Sequence, residues 1–312
     1  MTGFVTEYGG KRWQLPPLLE WRVQRTDGEP CGAFSVRFPA DGGHAAALSN
    51  AVGFDAWEDG KCVFTGVVDE AETVFSGGGY LAELTGRDPA AGLMDSQVRA
   101  AEFRSAQLAD ILRLYVRPYG VSKISADAMA AVPAFAVDTG STCWQALCGF
   151  CRHAADIRPR FLADGTLELR ASPARRAFEL TDWSGALSLR LRECRCGVPA
   201  RVTAVDLARG TASAAENRAF LAEGGAAARV IAASGATIRA SWRTPAQRIA
   251  DGALERRVLT AVLPGGFAAE PRDAVAVSLS RPTVKGNYTV RAAETVLDRN
   301  GLRTELTLRE GL

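Results

Sequence analysis

The stretch "VAVSLSRPTVKGNYTVRAAETVLDRNGLRTELTLRE", residues 275–310, decides how this chain is read. Val275, Val277 and Leu279 occupy alternate positions, and further on Leu302, Leu306 and Leu308 share one face while Arg303, Glu305 and Arg309 share the other. Side chains of an extended strand point alternately to its two faces, so this pattern buries one face and wets the other. Asn300-Gly301 is a favoured dipeptide of a tight hairpin turn, which predicts two antiparallel strands joined there.

The same grammar recurs near the N-terminus. "CVFTGVVDEAETV" (62–74) and "YLAELTGRD" (80–88) flank "SGGG" at 76–79 and read as a second hairpin, with Tyr80, Ala82 and Leu84 alternating against Leu81, Glu83 and Thr85. "CGAFSVRFP" (31–39) alternates in the same way. No short-period internal repeat is present, but a β segment at each end suggests two related barrels. Between them the period changes. In "SAQLADILRLYVRPYG", Leu108, Ile111, Leu112 and Tyr115 form an amphipathic helical stripe, with Ser105 as the expected N-cap and Pro118 and Gly120 as the stop. Thr142 and Gln145 fit a capping box for a second helix carrying Trp144, Leu147, Cys148 and Cys151 on one stripe, with Cys143 in line with Leu147 and Phe150. "FLADGTLELR" then reads as a hairpin about Asp164-Gly165.

Strands return in "ALSLRLRECRC" (186–196) and "ARVTAVDLA" (200–208). Residues 208–236, rich in Ala, Gly and Ser, read as a loop or insertion with one short helix, and Thr244-Pro245 opens a helix expected to reach about Leu259. The fold class expected is α+β, mainly β. It comprises a β-barrel domain at 1–95, an inserted helical α/β domain with two amphipathic helices at 96–180, and a second β-barrel domain at 181–312 interrupted by the Ala/Gly-rich insertion near 208–243.

The 312 residues are 47% hydrophobic and 23% charged, and 37 Lys and Arg against 35 Asp and Glu leave a net charge of +2. Nothing in that balance marks a nucleic-acid binder, which must neutralise several phosphates with clustered cations. No secretory signal and no apolar run long enough to span a membrane is visible, and seven cysteines in no framework spacing fit synthesis in a reducing cytoplasm.

Cys148-x-x-Cys151 supplies one close pair of zinc ligands and Cys194-x-Cys196 a second, if the strand carries both to one face with Arg190 and Arg192. Against this, Cys148 and Cys151 lie on the apolar stripe of their helix, where free cysteine packs as a small hydrophobe, and that reading is favoured. His44 sits in "DGGH", expected to be a solvated loop, and His153 is expected on a helix surface; no nucleophile elbow accompanies either. Asp69, Glu70 and Glu72 read as a solvated strand face rather than an acid pair, and "SGGGYL" lacks the GK[ST] ending of a phosphate loop. No catalytic, cofactor-binding or metal site is expected.

Four stretches in order resemble the late-control-D-like family of baseplate hub proteins, which serve contractile phage tails, prophage tails and type VI secretion spikes. They are "AWEDGKCVFTGVVDEAE" (56–72) with Gly66 after the first strand segment, "LTGRDPAAGLMDSQV" (84–98), "DTGSTCWQALCGFC" (138–151) with "PRFLADGTLEL" (159–169), and the C-terminal run quoted above. The resemblance departs in "EPRDAVAV", where the family often has glycine and this chain has Arg272. It implies a structural, non-enzymatic subunit without cofactors, whose homotrimer forms a ring of six similar barrels. That ring would join a tail tube protein to a central spike protein, touch the tape-measure protein, and pass DNA only as cargo. It also implies a place in a virion or phage-tail-like particle assembled in the bacterial cytoplasm, with no membrane insertion. A tail-borne receptor- or cell-wall-binding protein and a tail-borne peptidoglycan hydrolase are the alternatives.

Overall fold

The computed structural model describes residues 1–27, 31–77, 79–171, 176–206, 210–232 and 244–310. The N-terminal strands are β1 (Thr2–Glu7), β2 (Arg12–Gln14), β3 (Glu20–Thr26), β4 (Ala33–Ala40), β5 (Ala51–Glu58), β6 (Lys61–Ser76) and β7 (Gly79–Arg87). Helix α1 (Gly42–Leu48) joins β4 to β5, and α2 (Ala90–Asp95) follows β7. The strands hydrogen-bond in the order β3-β4-β7-β6-β5-β1-β2. Alternation sends Val5, Val36, Phe54, Phe64 and Leu84 from five different strands into one core cluster. A single sheet that buries one face against itself has to curl, as a barrel does. Among the described residues no ladder joins β1 or β2 back to β3, so side-chain packing completes the curl.

The β6–β7 hairpin pairs Ser76 with Gly79, where the glycine-rich turn predicts it. His44 lies in α1 and not in a loop, because Asp41 caps the helix, its Oδ1 accepting the His44 N–H at 2.9 Å, and the alanines that follow favour helix. Two glycines are demanded by close approach. A Cβ on Gly66 would stand 2.3 Å from the Arg87 carbonyl oxygen, and one on Gly86 would stand 2.0 Å from that of Val67. Both flank the β-bulge between Val68 and Glu70, where β6 bends out of the barrel.

The middle of the chain forms β8 (Ala101–Ala106), α3 (Leu108–Tyr115), β9 (Ile124–Ala126), β10 (Val132–Val137), α4 (Cys143–Ala155), β11 (Arg160–Phe161) and β12 (Leu167–Leu169). Ser105 is not the cap of α3: it pairs with Pro133 in the β8–β10 ladder, and Gln107 with Asp110 caps the helix. Thr142 and Gln145 do cap α4 reciprocally, at 3.1 and 2.9 Å. The two helical stripes meet in one core holding Ile111, Leu112, Tyr115, Trp144, Leu147 and Phe150.

The remainder forms β13 (Ala177–Thr181), β14 (Ser188–Glu193), β15 (Arg201–Asp206), β16 (Thr211–Glu216), α5 (Arg218–Ala222), β17 (Ala228–Ala232), α6 (Pro245–Ala253), β18 (Arg257–Pro264), β19 (Ala274–Ser280), β20 (Thr283–Asp298) and β21 (Gly301–Glu310). Six of these run in the order β13-β19-β20-β21-β18-β14 around a third core with Leu180, Leu259, Val277, Tyr288, Leu306 and Leu308. Where a loop with one short helix is expected, residues 210–232 supply a short helix, α5, but also two strands, β16 and β17, which flank β15 in a separate three-stranded sheet. Small residues hid those strands from the alternation test. Residues 207–209 and 233–243 of that stretch lie outside the described residues. Helix α6 ends at Ala253, short of Leu259, because Arg257–Pro264 is claimed by ladders with both β14 and β21.

Candidate functional site

The two curled sheets are one continuous sheet of thirteen strands, joined at a single seam. Strand β20 is 16 residues long, and its first part pairs with β19 from Thr283 to Thr289. After a bulge between Val290 and Ala292 its outer part, Ala292–Leu297, leaves that barrel and pairs antiparallel with β3 of the other. Val296 is buried there, and Leu297 and Leu302 pack on the N-terminal core. Across the seam Arg22 meets Glu294 at 3.3 Å.

Beside this seam lies a buried ion cluster that unites all three cores. The Asp27 side chain, 1% exposed, accepts from Arg272 Nε at 2.5 Å and also pairs with Arg309. Arg272 Nη2 donates to the Arg158 carbonyl at 2.7 Å, and the Arg158 guanidinium meets Asp251 of α6 at 3.1 Å. Next to it Arg160 meets Glu168 at 2.7 Å and donates to the Pro271 carbonyl. Burial pushes the Asp27 carboxyl up, but Arg272 and Arg309 outweigh it and hold the group below the usual carboxylate range. The cluster walls a cavity of about 420 Å³. Two of the acids lining this cavity, Asp27 and Asp251, are held by arginines, the arrangement of an anchoring contact. Arg272 also takes a left-handed backbone, φ 76°, which explains why glycine is the easier residue at this position and what the guanidinium gains by replacing it.

The cysteine candidates are dispersed. Cys143 and Cys151 are buried in the middle core, and Cys148 packs against it. Burial pushes the Cys151 thiol up to about 12. Strand β14 stops at Glu193, so Cys194 and Cys196 lie just beyond it, where the Cys194 N–H still donates to the Arg256 carbonyl at 2.7 Å. Among the described residues no three His, Cys, Asp or Glu side chains are grouped to hold a metal ion. His153 is exposed in the last turn of α4. Asp69 is taken by Arg87 at 2.7 Å, whereas Glu70 and Glu72 stand exposed on the outer part of β6. Among the described residues no helix is long and apolar enough to cross a membrane.

Several apolar side chains are left in solvent. Val74, Phe75 and Tyr80 at the β6–β7 tip are 46%, 70% and 43% exposed, and Trp183 is 95% exposed between β13 and β14. Sequence reading missed the device that links these features, an internal repeat of long period. Ala71-Glu72-Thr73-Val74 recurs 222 positions later as Ala293-Glu294-Thr295-Val296, and Glu83-Leu84-Thr85 with Arg87 recurs as Glu305-Leu306-Thr307 with Arg309. The same offset carries β6 onto β20 end for end and the bulge at Val68/Glu70 onto that at Val290/Ala292. The sheet orders match as well: β1-β5-β6-β7-β4-β3 against β13-β19-β20-β21-β18-β14.

No protein-family model matches the chain, and no curated protein matches it in sequence. Solved structures do. A tail protein from Neisseria meningitidis MC58 is similar at 18% identity and a TM-score of 0.79, over 99% of this chain and 96% of that one. The 43 kDa tail protein of prophage MuSo2 from Shewanella oneidensis is similar at 15% identity and 0.75, over 99% and 97%. A component of the type VI secretion system of E. coli, itself described as similar to T4 bacteriophage tail proteins, matches at 10% identity and 0.58, over 95% and 74%. The fold is that of phage tail proteins.

Proposed function

We propose that the protein is a structural subunit of a phage tail or phage-tail-like particle, and within it the baseplate hub. Three copies form a pseudo-sixfold ring of barrels that joins the tail tube to the central spike, with the tape-measure protein as a further neighbour and DNA as passing cargo. One observation carries the reading. A single chain already holds two barrels of the same strand order, joined edge to edge by β3 and β20. Three such pairs give six near-equivalent units, which meets a sixfold tube on one side and a threefold spike on the other. The fold shared with tail proteins supports the coarser part of this assignment. The division at 1–95, 96–180 and 181–312 belongs to the same proposal, with the middle unit fastened to both barrels through the Asp27 cluster.

Native mass spectrometry tests it. Purified protein is expected at three times the 33.1 kDa chain mass, with no added metal mass. A species of two or four chains would overturn the threefold ring.

A further inference from the structure

The internal repeat leaves two strand edges without the partner that their counterparts have. In the seam, the outer part of β20 pairs with β3. The counterpart of that outer part is the end of β6, Glu70–Ser76, which pairs with β7 on one side only and is exposed throughout. The counterpart of β3 is β14, which pairs with β18 on one side and, among the described residues, with no strand on the other. The matching is close: Leu19 N–H donates to Arg37 O at 2.8 Å, and Leu187 N–H donates to Val262 O at 2.7 Å. Arg37 and Val262 themselves face Glu83 and Glu305, which are 222 positions apart.

We propose that β14 of one copy pairs antiparallel with the outer part of β6 of a second copy, reproducing between chains the β3–β20 seam within the chain. This rests on the ring reading above and specifies its joint. The seam's register transfers residue by residue. Thr26 opposite Ala292 becomes Cys194 opposite Glu70, and Gln24 opposite Glu294 becomes Arg192 opposite Glu72. The Arg22–Glu294 ion pair becomes Arg190 with Glu72. In the isolated chain Arg190, Arg192, Glu70 and Glu72 are all exposed, and Glu72 faces the like charge of Glu83 across the β6–β7 ladder. An arginine from outside relieves that opposition. Val74, Phe75 and Tyr80 correspond to Val296, Leu297 and Leu302, which the seam covers. A second copy would cover the exposed three in the same way. An open strand edge flanked by bare aromatic side chains is a liability that pairing removes. The contact uses different edges on its two sides, so it is head-to-tail, the kind of joint that forms a ring when its rotation closes after three copies.

Two experiments test the joint. In the first, E72R, R190E and the E72R/R190E double variant are compared by native mass spectrometry across a dilution series, with thermal melts to confirm that each folds. Either single reversal is expected to raise the dissociation constant about tenfold or more, and the double variant to recover assembly. In the second, E70C under mild oxidation is expected to form covalent dimers and trimers that vanish in E70C/C194S. If the protein assembles but the reversals change nothing and no Cys194-dependent cross-link forms, this joint is wrong while the ring stands. A chain that neither assembles nor cross-links overturns both.

Discussion

Asp88 shows how a short motif is used once it is folded. It follows β7, and its two carboxylate oxygens accept the Gly32 N–H at 2.7 Å and the Ala90 N–H at 2.9 Å, tying the end of the hairpin to β4 and to α2. Burial pushes this carboxyl up to about 6, against the pull of those two donors. A raised acid favours the folded state most when protonated. Its contribution is therefore full below about pH 4, falls as pH rises, and has gone above about pH 6. The carboxyl carbon of Asp88 should titrate with a midpoint near 6 in a carbon-detected NMR series, and that fall should be missing from the stability profile of Asp88→Asn. A midpoint near 4 would show that water reaches the group.

At the scale of an element, the β6–β7 hairpin depends on two positions that carry no side chain. The bulge lets β6 leave the barrel, and the crossing brings the backbones of Val67 and Arg87 against Gly86 and Gly66. A methyl group cannot fit at 2.0–2.3 Å from a carbonyl oxygen. Gly86→Ala should cost about 1–3 kcal/mol or more, read as a lower midpoint in urea with an unchanged slope. Gly77→Ala in the same hairpin meets no atom within 4 Å and should leave the midpoint where it is. The hairpin itself was legible from its alternation and glycine turn, as was the α4 capping box. The end of α6 and the start of α3 were not legible, because strand ladders formed by distant segments claim Arg257 and Ser105.

At the scale of the molecule, the Asp27 cluster determines how the three cores sit together. One carboxylate from the N-terminal barrel balances Arg272 and Arg309 of the C-terminal one, and Arg272 also holds the backbone of Arg158. Removing one partner from a buried pair strands the others. Asp27→Asn should therefore destabilise the protein by about 3–5 kcal/mol, on the order of 10 °C in Tm. Asp27 is held low, so its contribution is present above about pH 4 and is lost as pH falls through its folded value. Wild type should lose stability in acid more steeply than Asp27→Asn does, as read from melts between pH 3 and 7. Equal slopes would mean that the cluster is not a closed unit. Of this junction, sequence reading marked Arg272, as a departure from glycine, and Arg309, only as a residue of a polar strand face. Asp27 lies 245 and 282 residues from Arg272 and Arg309, and no local pattern links them.

What the sequence determined by itself was everything that depends on near neighbours. The alternation of 275–310, the two glycine-marked hairpins, the α4 stripe and the packing of its cysteines follow from period, turn chemistry and apolarity within a dozen residues. Tertiary structure decided the rest. Strands poor in large side chains, such as β16, form because β15 offers an edge. The Asp27 cluster forms because folding brings distant charges out of water together. The equivalence of β6 with β20 shows only when their ladders, bulges and unlike burial are compared, because one has found its partner within the chain and the other has not.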